Sequence, residues 1–419
     1  MSFTSWLSDH LVLSSRTPGR APRPASKRKA TALRRTFRPS LENLEDRWVP
    51  STLMVTRSID DVSQHGTLRW AVANAQDGDT ILLTNVVKNT GITLTQGELV
   101  LGQDVTIEAK GKTPVTISGG DLSRIFKVAP GAQVTLSNLV ITGGNGSANN
   151  PAGDPDWEGS GGGILVDAGA VLTISKSSVS GNSASSGGGI FSYGTLTVSG
   201  STLSGNYAAF GGGIDNLGTA TVSGSTLSGN YSEHGGGGIL NWATLTVSGS
   251  TLSGNSTGNS TGGGIASFGS TTLTVSGSTF FDNFASVGGA IYNEAGTLTV
   301  SGCTLSGNSA GSYGGGIANL YGTVAVIDST LSGNRAGEYG GGIWNQGGLT
   351  ISGSSVSGNS AYDGGGIYNF AGGTVTVRDN SHIIGNSAYS GADVYNRGVL
   401  YLEIGTSEIG ILDGIFLPI

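Results

Sequence analysis

One period runs through more than half of this 419-residue chain. Isoleucine returns at Ile164, Ile190, Ile214, Ile239, Ile265, Ile291, Ile317, Ile343 and Ile367, with Val394 as a degenerate tenth member, in steps of 24 to 27 residues. Asparagine returns at Asn182, Asn206, Asn230, Asn255, Asn283, Asn308, Asn334, Asn359 and Asn386, in steps of 24 to 28. Two independent columns at one spacing mean a stack of similar units, none of which buries a core alone.

The unit has three parts, clearest in Gly211-Gly212-Gly213-Ile214-Asp215-Asn216, then Ala220-Thr221-Val222-Ser223-Gly224, then Ser225-Thr226-Leu227-Ser228-Gly229-Asn230. Apolar residues alternate with polar ones, as in Leu245-Thr246-Val247 and Thr251-Leu252-Ser253, and Gly, Asn or Ser bounds each run. That is the period of a strand, in a unit too short and too rich in glycine for paired helices. The expected fold is all-β: a right-handed parallel β-helix solenoid of roughly 12 to 14 coils, with three short strands per coil and coils about 4.8 Å apart. Ile, Leu and Val point inward and stack on their copies. Asparagine is expected at corners in the left-handed conformation, bonded along the axis in a ladder. The glycine triplets are expected to make tight corners with positive φ.

Composition agrees. There are 74 glycines, but they lack the strict one-in-three period of a collagen triple helix. Charged residues are 12% and apolar ones 37%, a poor match to a disordered chain. The net charge of −7 hides two unlike parts. Residues 1–57 carry eleven Lys or Arg against four acids, which leaves ten bases and 24 acids for the rest. So acidic a body, whose last lysine is Lys176, is not a nucleic-acid binder. The single cysteine, Cys303, allows no intrachain disulfide. No apolar run reaches the roughly 18 residues of a spanning helix.

The amino-terminal segment is rich in Pro, Arg, Ser and Ala and reads as a disordered leader. Its end, Leu41-Glu42-Asn43-Leu44-Glu45-Asp46-Arg47, resembles the LExLExR leader of planctomycete-type surface proteins, which implies export. Leu68, Ala71, Val72 and Ala75 then mark one face of a short helix, the expected cap over the open end of a solenoid. This stretch, Gly66-Thr67-Leu68-Arg69-Trp70-Ala71-Val72-Ala73-Asn74, also resembles the GSLRxAIxxAN segment that precedes many bacterial β-helix domains. The expected organisation is leader 1–54, cap 55–85, early coils with an acidic loop 86–160, repeated coils 161–399 and an end strand 400–419.

Gly288-Gly289-Ala290-Ile291 and Phe280-Phe281-Asp282-Asn283 match the paired GGAI and FxxN motifs of polymorphic outer-membrane protein repeats, and the other coils carry GGGI with LSGN. The resemblance covers residues 160–400. It implies a surface-displayed, adhesin-like passenger with a pectin-lyase-like β-helix, in the outer membrane or outside the cell. Members of that family end in a membrane β-barrel. The many ten-residue amphipathic strands of a barrel are missing from this sequence, so secretion or loose surface association is equally compatible.

Parallel β-helices often act on polysaccharides, so a lyase or hydrolase is the rival reading. Hydrolysis needs two carboxylates flanking one bond, and elimination on a uronate needs a strong base beside a cation held by acids. The best pair is Glu338 and Asp363, four residues after Asn334 and Asn359, with Arg335 nearby. A solvated charged corner explains the same residues. Asp154, Asp156 and Glu158 surround Trp157 in a loop that could hold calcium or a sugar, though a variable solvated loop explains them as well. His10, His65, His234 and His382 are scattered without zinc spacing. Cys303 stands where Ser201, Ser225 and Ser250 stand in other coils, so a serine-like packing role is expected.

The aromatic residues bear most on function. A column after the isoleucines holds Phe191, Tyr292, Trp344, Tyr368 and Tyr395, and alternation is expected to turn it toward solvent. A second set, Phe210, Tyr313, Tyr339, Tyr362 and Tyr389, precedes the glycines. Exposed rings stack on sugars or anchor a partner, and they also pack against each other between coils. The expected function is a noncatalytic, exported adhesin or surface scaffold. The expected partner is an extracellular glycan or surface protein, bound by a monomer without a cofactor.

Overall fold

The computed structural model describes residues 50–84, 87, 90–147 and 159–419. Residues 1–49, with the LExLExR-like end, lie outside them, whereas Thr52–Val55, where the leader is expected to end, is already a strand paired with Thr80–Leu83 in the longest sheet. The described residues wind into a parallel β-solenoid of about thirteen coils, with sheets of 15, 13, 13 and 7 strands running along its axis.

The longest sheet takes its strands from segments such as Thr219–Ser223, and the next coil's Thr244–Ser248 pairs with it in register, Leu245 beside Ala220 and Val247 beside Val222. Thr226–Ser228 and its copies form a second sheet, and Ile214–Asn216 and its copies a third. These are the three expected strands of each coil. A fourth, short sheet adds segments such as Tyr207–Phe210 between the asparagine corner and the glycine triplet in seven coils. Alternate residues enter one continuous core that runs from Val55 to Leu400. Each buried Val, Leu or Ile contributes about 1.5–3 kcal/mol, but only because neighbouring coils close over it.

The asparagine column forms the expected ladder. Asn206 Nδ2 donates to Asn230 Oδ1 at 2.9 Å and to the Val179 carbonyl at 3.0 Å, and Asn230 Oδ1 also accepts the Asn206 amide at 3.1 Å. The left-handed turn, however, belongs to the residue before each asparagine: Gly205 and Gly229 have φ of 60°, and Asp282 replaces them at 54°. A second ladder, not foreseen, runs through the asparagines that end the Ile strands, with Asn319 Nδ2 donating to Asn345 Oδ1 at 2.8 Å.

Only the first glycine of each triplet needs positive φ, as Gly211 does at 61°. The second is excluded from carrying a side chain for another reason. A Cβ on Gly212 would lie 2.4 Å from the Tyr231 carbonyl oxygen and 2.6 Å from that of Gly237.

The helix α1 (Leu68–Asn74) covers the first coils. Thr67 caps it by accepting the Trp70 amide at 3.1 Å, and Leu68 and Ala71 face inward. Beneath it Arg69 Nε donates to the buried Asp60 at 2.6 Å, and the Thr95 and Gln96 amides also donate to that carboxylate. Burial alone raises the Asp60 carboxyl, but these bonds outweigh it and hold the group below its ordinary range.

Candidate functional site

The aromatic column lies on the outer face of the Ile sheet, in the register read from the sequence: Trp344 pairs with Tyr368 and Tyr368 with Tyr395. Its expected exposure is wrong. Tyr292 is 6%, Trp344 8% and Tyr368 5% exposed, and only Tyr395 is half open. The glycine triplet explains this, because the chain folds back across the column. A Cβ on Gly364 would lie 2.9 Å from the Tyr368 Cα, and one on Gly211 would lie 2.8 Å from the Asp215 Cβ. Tyr292, Ala318, Trp344 and Tyr368 thus form a second apolar cluster outside the main core.

Tyr313 and Tyr339 close that cluster. They stack on each other at 5.4 Å and 3°, and each also lies against a column ring of the following coil, Tyr313 on Trp344 at 5.5 Å and Tyr339 on Tyr368 at 4.6 Å. Rings used this way give their faces to one another. Phe210 sits four coils earlier on the same corner, 41% exposed and in contact with His234, and does not join them. Tyr362 and Tyr389 stand one position before the Tyr313 column, stacked at 5.5 Å, and are 59% and 84% exposed.

The opposite rim carries rings that the repeat reading passed over. Trp242, Phe268 and Phe370 each follow the residue that ends an Ile strand, and Trp242 stacks on Phe268 at 4.9 Å. Aligning the coils on Asn241-Trp242 and Asn369-Phe370 would have exposed this column. Two ring-bearing rims therefore border a filled aromatic floor.

Glu338 and Asp363 do not pair. The segment from asparagine to isoleucine is one residue shorter after Asn359 than after Asn334, so Asp363 falls opposite Tyr339 and Tyr362 takes the place of Glu338. Arg335 is exposed and makes no ion pair among the described residues. Another basic residue takes its place near Asp363. Arg397 Nε donates to the Tyr395 hydroxyl at 2.8 Å, and the guanidinium lies 5.1 Å from the centre of that ring. Asp413 is the next residue after Tyr395 in the column and accepts the Ser390 hydroxyl. Burial raises the Asp363 carboxyl above its ordinary range, Arg397 opposes that rise and Asp413 adds to it. Asp363, Arg397 and Asp413 thus gather at the carboxy-terminal end of the aromatic floor. Asp413 lies beyond the last full repeat, where no motif marked it.

Asp154, Asp156 and Glu158 fall outside the described residues, and among those described no cluster of three or more His, Cys, Asp or Glu could hold a metal ion. Cys303 is buried in a serine ladder. Its Sγ approaches the Ser301 carbonyl at 3.2 Å and accepts the Ser278 amide at 3.4 Å, as Ser225 does for Ser201 in an earlier coil. Burial pushes its thiol up, which makes it a poor nucleophile.

A family model described as "Right handed beta helix region" matches residues 126–304. The solenoid is a right-handed parallel β-helix. No curated protein matches the chain. Among solved structures it is similar to tailspike protein 3 of bacteriophage CBA120, at 10% identity and a TM-score of 0.44 over 84% of this chain and 57% of the tailspike. It is also similar to an alginate lyase, at 13% identity and a TM-score of 0.39 over 86% of this chain and 81% of the lyase. A lacto-N-biosidase from Eubacterium ramulus shares 14% identity, with a TM-score of 0.33 over 88% of this chain and 67% of the enzyme. Overlaps this loose carry nothing about function.

Proposed function

We propose that this protein is a noncatalytic, exported β-helix that serves as a cell-surface adhesin or scaffold and binds glycans along its ring-bearing rims. The observation that carries the reading is the exposure of rings on two rims, Tyr362 and Tyr389 on one and Trp242 and Phe370 on the other. Preordered rings lose little entropy on binding, and their free edges and end faces suit the apolar faces of sugar rings. Phe370 lies against Trp344 and Tyr368 of the floor, and Trp242 reaches Tyr292 through Phe268.

Screening the whole chain on a glycan array tests this. Binding should fall in a Tyr362→Ala/Tyr389→Ala variant whose melting temperature is unchanged. An array without binding, or binding indifferent to those changes and to Trp242→Ala, rejects the reading. Cell fractionation with surface proteolysis tests the location.

A second reading, a polysaccharide lyase or hydrolase, is favoured by Asp363 and Asp413 beside Arg397. A carboxyl raised by burial suits an acid, with a second carboxylate close by. Depolymerisation of any polysaccharide by the purified chain, abolished in both Asp363→Asn and Asp413→Asn, would establish this reading over the first.

A further inference from the structure

On a different corner of the solenoid from the aromatic rims, a groove of about 920 Å³ opens between the longest sheet and the second sheet, that of Thr226–Ser228, near the amino-terminal end. Residues of five successive coils line it, from Leu82 to Thr202. Of the four lysines among the described residues, Lys110, Lys112 and Lys176 line this groove. The fourth, Lys127, lies 3.6 Å from Asp167. The three groove lysines are exposed and make no ion pair among the described residues, and Glu108 is the one acid in the lining.

Lys176 also occupies a corner that does not suit it. Its φ is 49°; Asn138 and Asp328, of the types that tolerate this conformation, stand there in other coils at 57° and 47°, and Gly200, Gly224 and Gly249 at 51° to 53°. Equivalent backbone bonds prove the correspondence, since Lys176 N donates to the Ser199 carbonyl as Gly200 N does to that of Ser223. A side chain in this conformation costs about 1–2 kcal/mol relative to glycine. Nothing in the packing offsets that cost, because the corner is exposed. Strain of this kind is a pointer to function.

We infer that this groove binds a segment of an anionic glycan bearing carboxylate or sulfate groups. The proposal is independent of the aromatic rims. Lys110 and Lys176 are two coil steps apart, about 10 Å at the spacing between strands, so they address repeated charges along a chain better than one small anion. Ser178 and Thr202 supply hydroxyls to sugar oxygens. Neither an arginine fork nor an aromatic ring lines the groove, so it lacks the elements that grip phosphates in pairs or stack bases.

The test is calorimetric titration of the full chain with a heparin hexasaccharide, an oligogalacturonate, a neutral cello-oligosaccharide and a DNA duplex. One or both anionic sugars should bind, and which of the two does identifies sulfate or carboxylate. In a Lys110→Ala/Lys112→Ala/Lys176→Gly variant, affinity should fall about tenfold or more, and the salt slope should shrink by about one per lysine removed. Lys176→Gly restores the residue used in later coils, so this single variant should melt no lower than wild type while already weakening binding. Tyr362→Ala/Tyr389→Ala should leave this binding intact, which separates it from the rims. Equal affinity in the triple variant, preference for the neutral sugar, preference for DNA, or no binding at all would overturn the proposal.

Discussion

Asp215 stands in the outer column between Phe191 and Leu240, 3% exposed, with one carboxyl oxygen lacking a hydrogen-bond partner. Burial raises its carboxyl to about 8, against a smaller opposing effect of the Ser186 hydroxyl. The folded chain thus keeps a proton that the unfolded chain releases in the ordinary carboxylate range. Stability should fall as pH rises from about 4 to about 8, then lose nothing more from this group. Asp215→Leu, which copies the next coil, should raise the melting temperature at pH 8 and remove that part of the slope. Denaturation across this pH range checks both, and a slope unchanged by the substitution would contradict the assignment. Cys303 is the other informative residue. Cys303→Ser should change stability by no more than about 1.5 kcal/mol, the worth of one hydrogen bond, and the native thiol should react with a thiol reagent only after unfolding. Fast labelling of the folded chain would show that the ladder opens.

At the level of the coil, glycine has two distinct jobs, and substitution separates them. Gly224, at φ 53°, has open space where a methyl group would stand, with nothing within 4 Å. Gly224→Ala should therefore cost only the conformational penalty of about 1–2 kcal/mol. Gly212→Ala drives a methyl into two backbone carbonyls of the next coil and should cost more, or prevent folding of that region. Urea titration ranks the two, and equal costs would contradict the close-approach argument. The asparagine ladder predicts a comparable loss. Asn255 donates to Asn283 Oδ1 and to the Leu227 carbonyl, while its own oxygen accepts from Asn230. Asn255→Ala leaves buried groups unpaired on both sides and should cost about 2–4 kcal/mol in the same titration.

Across the whole molecule the two ends differ. The amino-terminal coils carry α1 and the buried Asp60 to Arg69 pair, whereas the last strands, Glu408–Ile409, Leu412–Asp413 and Leu417–Pro418, are two residues each. Ile404, Ile411 and Ile415 near that end are largely exposed. Stability in a stack is a sum of neighbour contacts, so the terminal coils open most easily. Hydrogen exchange should be slowest around Val222 and Val247 and much faster from Ile409 onward. Uniform protection along the axis would rule this out.

Period, strand type and stacking register were legible in the chain because they are local. Alternation within a strand and recurrence of Ile and Asn follow from which residues a coil must bury, and each coil repeats that demand. The serine-like place of Cys303 was legible for the same reason. Exposure was not, because it depends on where the backbone goes next: the glycine corner crosses the aromatic column and converts Tyr292, Trp344 and Tyr368 from a surface into a second core. Nor was the pairing of Glu338 with Asp363, which one missing residue in a loop removes. The gathering of Asp363, Arg397 and Asp413, and of Lys110 with Lys176, rests on coils stacking side chains that lie far apart in sequence. Repetition therefore writes the scaffold into the sequence, while the sites arise where individual coils depart from it, and only the folded stack brings those departures together.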